Sequence, residues 1–490
     1  MADKDELESV CKRRGFVWPS SEIYGGEAGF YDYGHLGARI RDNWEHIWKD
    51  FFLDMDNYHM IYTPNILPYR VLKASGHVDQ FSDVLVRCKK CGNSHRGDHV
   101  LEDITGESAE WMDKDEMASC MAEKGIRCPD CGGELDQPMD FNMMFGVDIG
   151  PTGERKGFLR PETAQGTYMN FHREFIALRR KLPMGLATIG SAFRNEISPR
   201  QGVYRLREFR QAELQIFFNP QSDDFDEHYE SVKDRILPVL RANSEGIREM
   251  TMEEMDDLPK FYRYHMVRMY QFFADVMEIP RDKLRLRELS PEERAFYNRI
   301  HFDVEVDMES LGGWKELAGL HYRGDYDLTQ HQKASGQKMS VSVEGGERIV
   351  PHVLELSFGE DRNIWALMDV GYRTGERDWI SIPYPMAPYQ AAVFPLVRKD
   401  GLLEKSRKVY EDLKRDMNAF WDKSGSIGKR YARQDEIGTP FCITVDYDTM
   451  EDDTVTLREI SSTEQIRVPL SDLKQELRGY VKREKRFGTA

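Results

Sequence analysis

Apolar residues recur every third or fourth position through Leu36, Ile40, Trp44, Ile47, Trp48 and Phe51, which predicts a helix with one buried face. Ahead of it, residues 5–25 read as a short helix and a turn, and 29–37 as a loop. Residues 58–68 follow as a strand stopped by prolines, and 141–150 alternate like a second strand. Within 186–218, two runs with strand alternation flank the polar stretch 197–206, which carries Pro199 and Gly202. That is the pattern of a β-hairpin with a long loop.

Strand side chains alternate faces. Arg194 and Glu196 therefore share one face of the first strand, and Phe209, Gln211, Glu213 and Gln215 share one face of the second. The loop adds Arg200 and Arg205. Pro161, Glu162 and Thr163 open a helix. Residues 353–362 run from strand to helix: Leu354, Leu356 and Phe358 face the core, while Glu355 and Ser357 share the other face. Gly359 permits close backbone approach, and Arg362 begins the helix. Glu316 and Arg323 have opposite parity, so either Gly319 breaks the alternation or the two line different walls. Residues 221–300 read as a charge-rich helical insertion, with the arginines of 284–298 on a helical pattern.

After the linker at 381–388, short strands (391–397, 441–446, 454–460, 464–470) alternate with helices (402–422, 471–485), a small α/β domain. Its candidate phosphate contacts are Lys429, Arg430 and Arg433, with a further basic run at 482–486.

Length and charge narrow the reading. A chain of 490 residues holds two or three domains. A net charge of −17 counts against a non-specific nucleic-acid binder, and any specific RNA contact requires a local basic patch. The N-terminal MADKDELESV is not a signal peptide and no apolar run reaches membrane-spanning length, so a cytoplasmic protein is expected. Of seven cysteines, Cys88 and Cys91, then Cys128 and Cys131, form two CxxC knuckles 36 residues apart. Paired knuckles suit a closed tetrahedral shell of structural zinc. Cys11, Cys120 and Cys442 are expected to pack as small apolar residues.

Arginine makes bidentate phosphate contacts, an aromatic ring stacks on a base, and a carboxylate accepts from an exocyclic amine. The hairpin thus suits a nucleoside triphosphate lying over an antiparallel sheet. On pattern alone, a charged amphipathic hairpin with solvated arginines is as good an account.

The string FRNEISPRQGVYRLREF (193–209) resembles motif 2 of the class II aminoacyl-tRNA synthetases in its glycyl form. The helix, strand and proline of 36–68 resemble motif 1, and 353–362 resembles motif 3. The segments 72–79, 96–99, 159–166 and 313–328 also resemble glycyl enzymes, and 425–441 resembles the anticodon-binding domain shared by glycyl, histidyl, prolyl and threonyl enzymes. The resemblance implies an α+β fold: an antiparallel sheet flanked by helices forms the catalytic domain (1–84 and 139–380). It carries a zinc-knuckle insertion (85–138) and the helical insertion 221–300, and an anticodon-binding domain (388–490) follows.

It also implies a homodimer that activates glycine with ATP and transfers it to tRNA. ATP would lie on Arg194, Asn195, Glu196, Tyr204, Arg205, Leu206, Arg207, Glu208, Phe209, Glu316, Leu317, Gly359 and Arg362. Glycine would be held by Arg96, Glu162, Phe209, Gln211, Glu213, Arg323, Glu355 and Ser357. Arg194, Arg205 and Arg362 would act on the phosphates with Mg²⁺, with Glu316 and Glu355 as carboxylates on the metal side. His77 reads as a structural histidine. A non-catalytic relative would be expected to have lost Arg194, Glu196 or Arg362, and all three are present.

Overall fold

The computed structural model describes residues 4–55, 57–106, 109, 112–199, 201–343 and 346–488. Its largest element is a nine-stranded sheet. In chain order the strands are β1 (Tyr58–Met60), β2 (Met184–Phe193), β3 (Glu208–Phe218), β4 (Ile236–Leu240), β5 (Arg248–Thr251), β6 (Leu284–Glu288), β7 (Ile300–Met308), β8 (Gly313–Gly324) and β9 (His352–Gly359). In space they run β5-β4-β6-β7-β8-β9-β3-β2-β1. The pairings β1 with β2 and β4 with β6 are parallel, and the others are antiparallel.

The register separates the two faces. Ala187, Leu214, Leu356, Leu320 and Phe302 form one cross-strand row, and Ile189, Ala212, Phe358, Ala318 and Val304 the next. These apolar rows are buried under helices α1 (His35–Phe52), α3 (Lys260–Gln271) and α4 (Glu360–Gly371). The expected stripe on α1 is observed: Trp48 and Phe52 lie 5.9 and 4.9 Å from Phe358, ring to ring. The opposite face carries the rows Leu186, Gln215, Glu355, His321, His301 and Thr188, Glu213, Ser357, Gly319, Asp303. It is polar because the functional site is built on it. Helix α2 (Ala164–Ala177) packs at its edge against Leu186 and Phe217.

The segment 221–300 differs from its sequence reading. It supplies strands β4, β5 and β6 together with helix α3, so it is part of the sheet rather than a helical insertion. Leu284 and Leu286 are buried while Arg285 and Arg287 face outward, a period of two. Those arginines pair with Glu305 and Glu293 and are not free for RNA.

The parity question at Glu316 and Arg323 resolves through a β-bulge. Val304 pairs with Ala318 and Glu305 with Glu316, leaving Leu317 unpaired. The extra residue turns Leu317 into the core and Glu316 onto the polar face. Gly319 does not break the strand. It makes room, since a Cβ there would lie 2.4 Å from Nε2 of His321.

The C-terminal domain is a five-stranded sheet with helices Leu402–Leu413, Ile427–Asp435 and Leu473–Val481. The expected helix 402–422 ends early, and Ala419–Trp421 forms an edge strand. Two candidate RNA contacts are corrected here. Arg430 is buried and donates to the carbonyls of Pro395 and Gly425, and Arg433 pairs with Asp422. Lys429 is exposed. In the terminal run, Arg483 donates to the carbonyls of Asp275 and Val276 and pairs with Glu278, docking the two domains.

Candidate active site

A cavity of about 210 Å³ opens on the polar face beneath the loop joining β2 to β3. Its lining brings together Glu162, Arg194, Glu196, Tyr204, Arg205, Leu206, Phe209, Gln211, Glu213, Glu316, Glu355, Ser357, Gly359 and Arg362. Arg200 lies outside the described residues.

One end is built of carboxylates. Glu213 accepts from the hydroxyls of Thr163 (2.6 Å) and Ser357 (3.0 Å). Glu162 accepts from Nε2 of Gln165 at 2.7 Å and faces Nε2 of His77 at 3.5 Å. Glu355 accepts from Gln215 at 2.7 Å and from Arg323 at 3.1 Å. The three titrate differently. Burial and the charges of Glu355 and Glu162 push Glu213 up to about 8. Burial also raises Glu355, against the pull of Arg323. At Glu162, burial is outweighed by His77 and Arg323, which hold it below the usual carboxylate range. The neighbourhood, with Asp327, holds more carboxylates than cations, which favours a small cationic ligand.

The other end is cationic and aromatic. The Arg194 guanidinium lies between the rings of Phe81 (5.4 Å) and Phe209 (5.3 Å) and donates to the carbonyl of Pro161. Arg362 sits 4.6 Å from the ring centre of Tyr204 and pairs with Glu316 at 3.0 Å. Arg205 approaches Nε2 of His99 at 3.4 Å. Among the described residues neither Arg194 nor Arg205 has a carboxylate partner, so both remain available to an anion. Among the described residues Oε2 of Glu196 and Oε1 of Gln211 are buried without a hydrogen-bond partner, two acceptors suited to a ligand that carries N–H groups.

Several candidates lie elsewhere. Arg323 is buried beside the carboxylate end, on the same face of the sheet as Glu355. It makes a bidentate contact to Asp327 (2.8 and 3.0 Å), reaches Glu355, and rests 4.1 Å from the Tyr297 ring. It therefore orients the carboxylates and has no free donor edge for a substrate. Glu355 lines the cavity and is engaged by Arg323 and Gln215. Arg96 pairs with Asp83 and Asp98 and does not itself line the cavity, although it lies close enough to feel the charge of Glu196. Arg207 pairs with Glu27, Glu208 is exposed at the strand end, Asn195 contributes its backbone N–H to Met143, and Leu317 is in the core.

The sequence reading missed His321, Tyr297, Arg210 and Asp361, which also line the cavity. His321 shares strand parity with Gly319, a signal that was available. Asp361 accepts from the backbone N–H of Arg210 at 2.7 Å, which no sequence signal indicates.

In the insertion, the sulfurs of Cys88, Cys91, Cys128 and Cys131 lie within 4.8 Å of one another. Two of the separations are 3.5 and 3.8 Å, and a tetrahedral thiolate shell at ~2.3 Å implies about 3.8 Å between sulfurs. A Cβ at Gly133 would sit 3.0 Å from Sγ of Cys88, so glycine is needed beside the shell. The residues present fit such a metal. The insertion also meets the loop between β2 and β3: Ser198 Oγ donates to the carbonyl of Ser94 at 2.6 Å, and His99 meets Arg205.

Residues 147–370 match the family described as tRNA synthetase class II core domain (G, H, P, S and T), and 390–480 match the anticodon binding domain. A glycine–tRNA ligase of Pyrococcus furiosus is 40% identical over 567 aligned positions, covering 98% of this chain and 99% of that protein. A glycine–tRNA ligase of Thermococcus kodakarensis is 39% identical, with the same coverage. The alignment is longer than the 490 residues here, so the Pyrococcus protein carries insertions this chain does without. A solved prolyl-tRNA synthetase of Cryptosporidium parvum, 14% identical, has a TM-score of 0.60 and covers 99% of this chain and 79% of that one. That likeness concerns the fold.

Proposed function

Since the chain belongs to the class II tRNA synthetases, and within them to the glycine–tRNA ligases, we propose that its cavity holds glycine at the carboxylate end and ATP at the arginine end. The ligase activity is the family's: glycine is activated with ATP and joined to tRNA. The observation that carries the cavity assignment is the juxtaposition of Glu162, Glu213 and Glu355 with Arg194, Arg205 and Arg362 in one space.

In the first step a glycine carboxylate oxygen attacks the α-phosphorus and pyrophosphate leaves. The nucleophile is already an anion, so no protein base is needed. Arg194 on the α-phosphate, and Arg205 and Arg362 on the outer phosphates, stabilise the charge that develops. Phe209 stacks on adenine, and Glu196 accepts from its amino group. In the second step the 3′-hydroxyl of the tRNA attacks the adenylate carbonyl, the acyl–phosphate bond breaks, and AMP leaves as its phosphate takes up the hydroxyl proton. Mg²⁺ would come with ATP, facing Glu316 at the mouth of the cavity, and supplies neutralisation of phosphate charge. Larger amino acids are excluded because a side chain would press on Ser357 and the carboxylates.

This arrangement predicts proton release. Below pH 8 the free cavity keeps a proton on Glu213. A glycine ammonium beside it favours the carboxylate, so binding at pH 7 expels close to one proton. Titration calorimetry in buffers of different ionisation enthalpy measures it. Apparent glycine affinity should rise from pH 6 to 8, and Glu213→Gln should abolish the release. Binding with no proton exchange would overturn the assignment. The sign for stability is the reverse: Glu213 favours the ligand-free fold below its usual 4.5, and that contribution is lost as pH rises through 8.

We assign zinc to the four cysteines as a closed structural shell. Because the insertion braces Ser198 and Arg205, chelation should unfold it and weaken ATP binding severalfold while glycine binding changes little. Metal content, together with calorimetric titration of an ATP analogue and of glycine, checks this. A homodimer is part of the same proposal. Tyr62, Ile66 and Tyr69 expose apolar surface beside edge strand β1, at 83%, 47% and 42% exposure. No helix among the described residues is long and apolar enough to cross a membrane. A cytoplasmic location is proposed from the substrates, tRNA and ATP.

A further inference from the structure

With a net charge of −17, this chain can meet RNA phosphates only where cations gather locally. One such place lies outside the active site, on the outer side of α2. A groove of about 840 Å³ runs between α2, the segment 70–74 and the segment 331–348. Its lining includes Arg70, His172, Arg173, His331, Lys338 and Arg348, and no carboxylate.

Among the described residues these cations have no acidic partner in an ion pair, Arg173 and Lys338 included. Arg70 donates to the carbonyl of Ala334, and Arg348 to the carbonyl and hydroxyl of Ser340, all neutral oxygens among the described residues. Like charges held together in this way repel one another, and a polyanion relieves that repulsion. The basic surface continues past the end of α2, where Arg179, Arg180 and Lys181 are exposed.

The groove is also close to the active site. Buried His331 contacts Oε1 of Gln165 at 2.8 Å, and Nε2 of Gln165 donates to Glu162 at 2.7 Å. Two side chains thus separate the groove from the carboxylate end of the cavity.

We propose that this groove carries phosphates of the tRNA backbone while its 3′ end is in the cavity. A single phosphate would engage two or three of these cations, whereas their number suits a run of phosphates. The inference rests on the ligase reading, and the experiment separates the two.

The test is Arg173→Ala with Lys338→Ala in the full chain. Binding of tRNA is measured from 50 to 200 mM salt, beside glycine-dependent pyrophosphate exchange and sedimentation. The expected result is tRNA binding weaker by roughly tenfold, with the log–log salt slope smaller by about 1–2. Exchange and oligomeric state should be unchanged, which also reports an intact fold. Unchanged affinity and slope would overturn the proposal. So would a changed oligomeric state with unchanged affinity, which would give the groove to a second copy of the chain. Absence of glycine charging by the unaltered protein would instead refute the ligase reading.

Discussion

Arg194→Ala is expected to lower glycine-dependent ATP–pyrophosphate exchange by about 10³-fold. The guanidinium is held between two aromatic rings and by the Pro161 carbonyl, which leaves its remaining donors directed into the cavity. It needs no reorganisation when charge develops on the α-phosphate, which is why its removal acts on the rate. Arg194 lies in the cavity wall and ties no secondary elements together through an ion pair, so thermal unfolding should hardly change. Arg194→Lys should recover little, because one ammonium does not reproduce a bidentate, stacked contact. Exchange within tenfold of the unaltered protein would remove Arg194 from the phosphate site.

Arg323→Met is expected to act on stability first. Arg323 is the buried cation that Asp327 and Glu355 share, with Glu162 at 3.9 Å. Removing one partner of a buried ionic cluster leaves the others uncompensated and costs about 3–5 kcal/mol. The loss should shrink toward pH 5, because Glu355 and Glu213 already titrate high and accept protons that relieve the repulsion. Glycine affinity should fall with it, while binding of an ATP analogue changes much less. Denaturant unfolding at pH 5 and pH 8 measures the first effect. A variant as stable as the unaltered protein at pH 8 would contradict the positioning role.

These two arginines also mark what could be read from the sequence. Phe209, Gln211 and Glu213 were legible because the second hairpin strand alternates and its two faces differ in polarity. The same holds for Glu355 and Ser357 against Leu354, Leu356 and Phe358. Arg194 and Glu196 reach the cavity from the turn just past the end of β2, not by strand parity. Arg323 was assigned outward, toward the substrate. The sequence shows Asp327 four residues on, but not that both are buried against α2 on the polar face, because burial comes from the elements packed around them. The parity of Glu316 was ambiguous for a related reason. A bulge at Leu317 has no residue signature of its own, and only the register with β7 reveals it. The segment 221–300 misled because charged turns resemble solvated helix faces, although Leu284 and Leu286 alternate with Arg285 and Arg287. At Arg430, a cluster of basic residues suggested phosphate contact, whereas the side chain turns inward to two carbonyls.

The central claim is that one cavity brings glycine and ATP together. Glycine-dependent ATP–pyrophosphate exchange by the purified protein, with alanine and serine as controls, tests it most directly. Exchange with glycine alone is the predicted result. Exchange with serine or alanine at a comparable rate would contradict the carboxylate pocket, and no exchange with any of the three would contradict the active-site assignment as a whole.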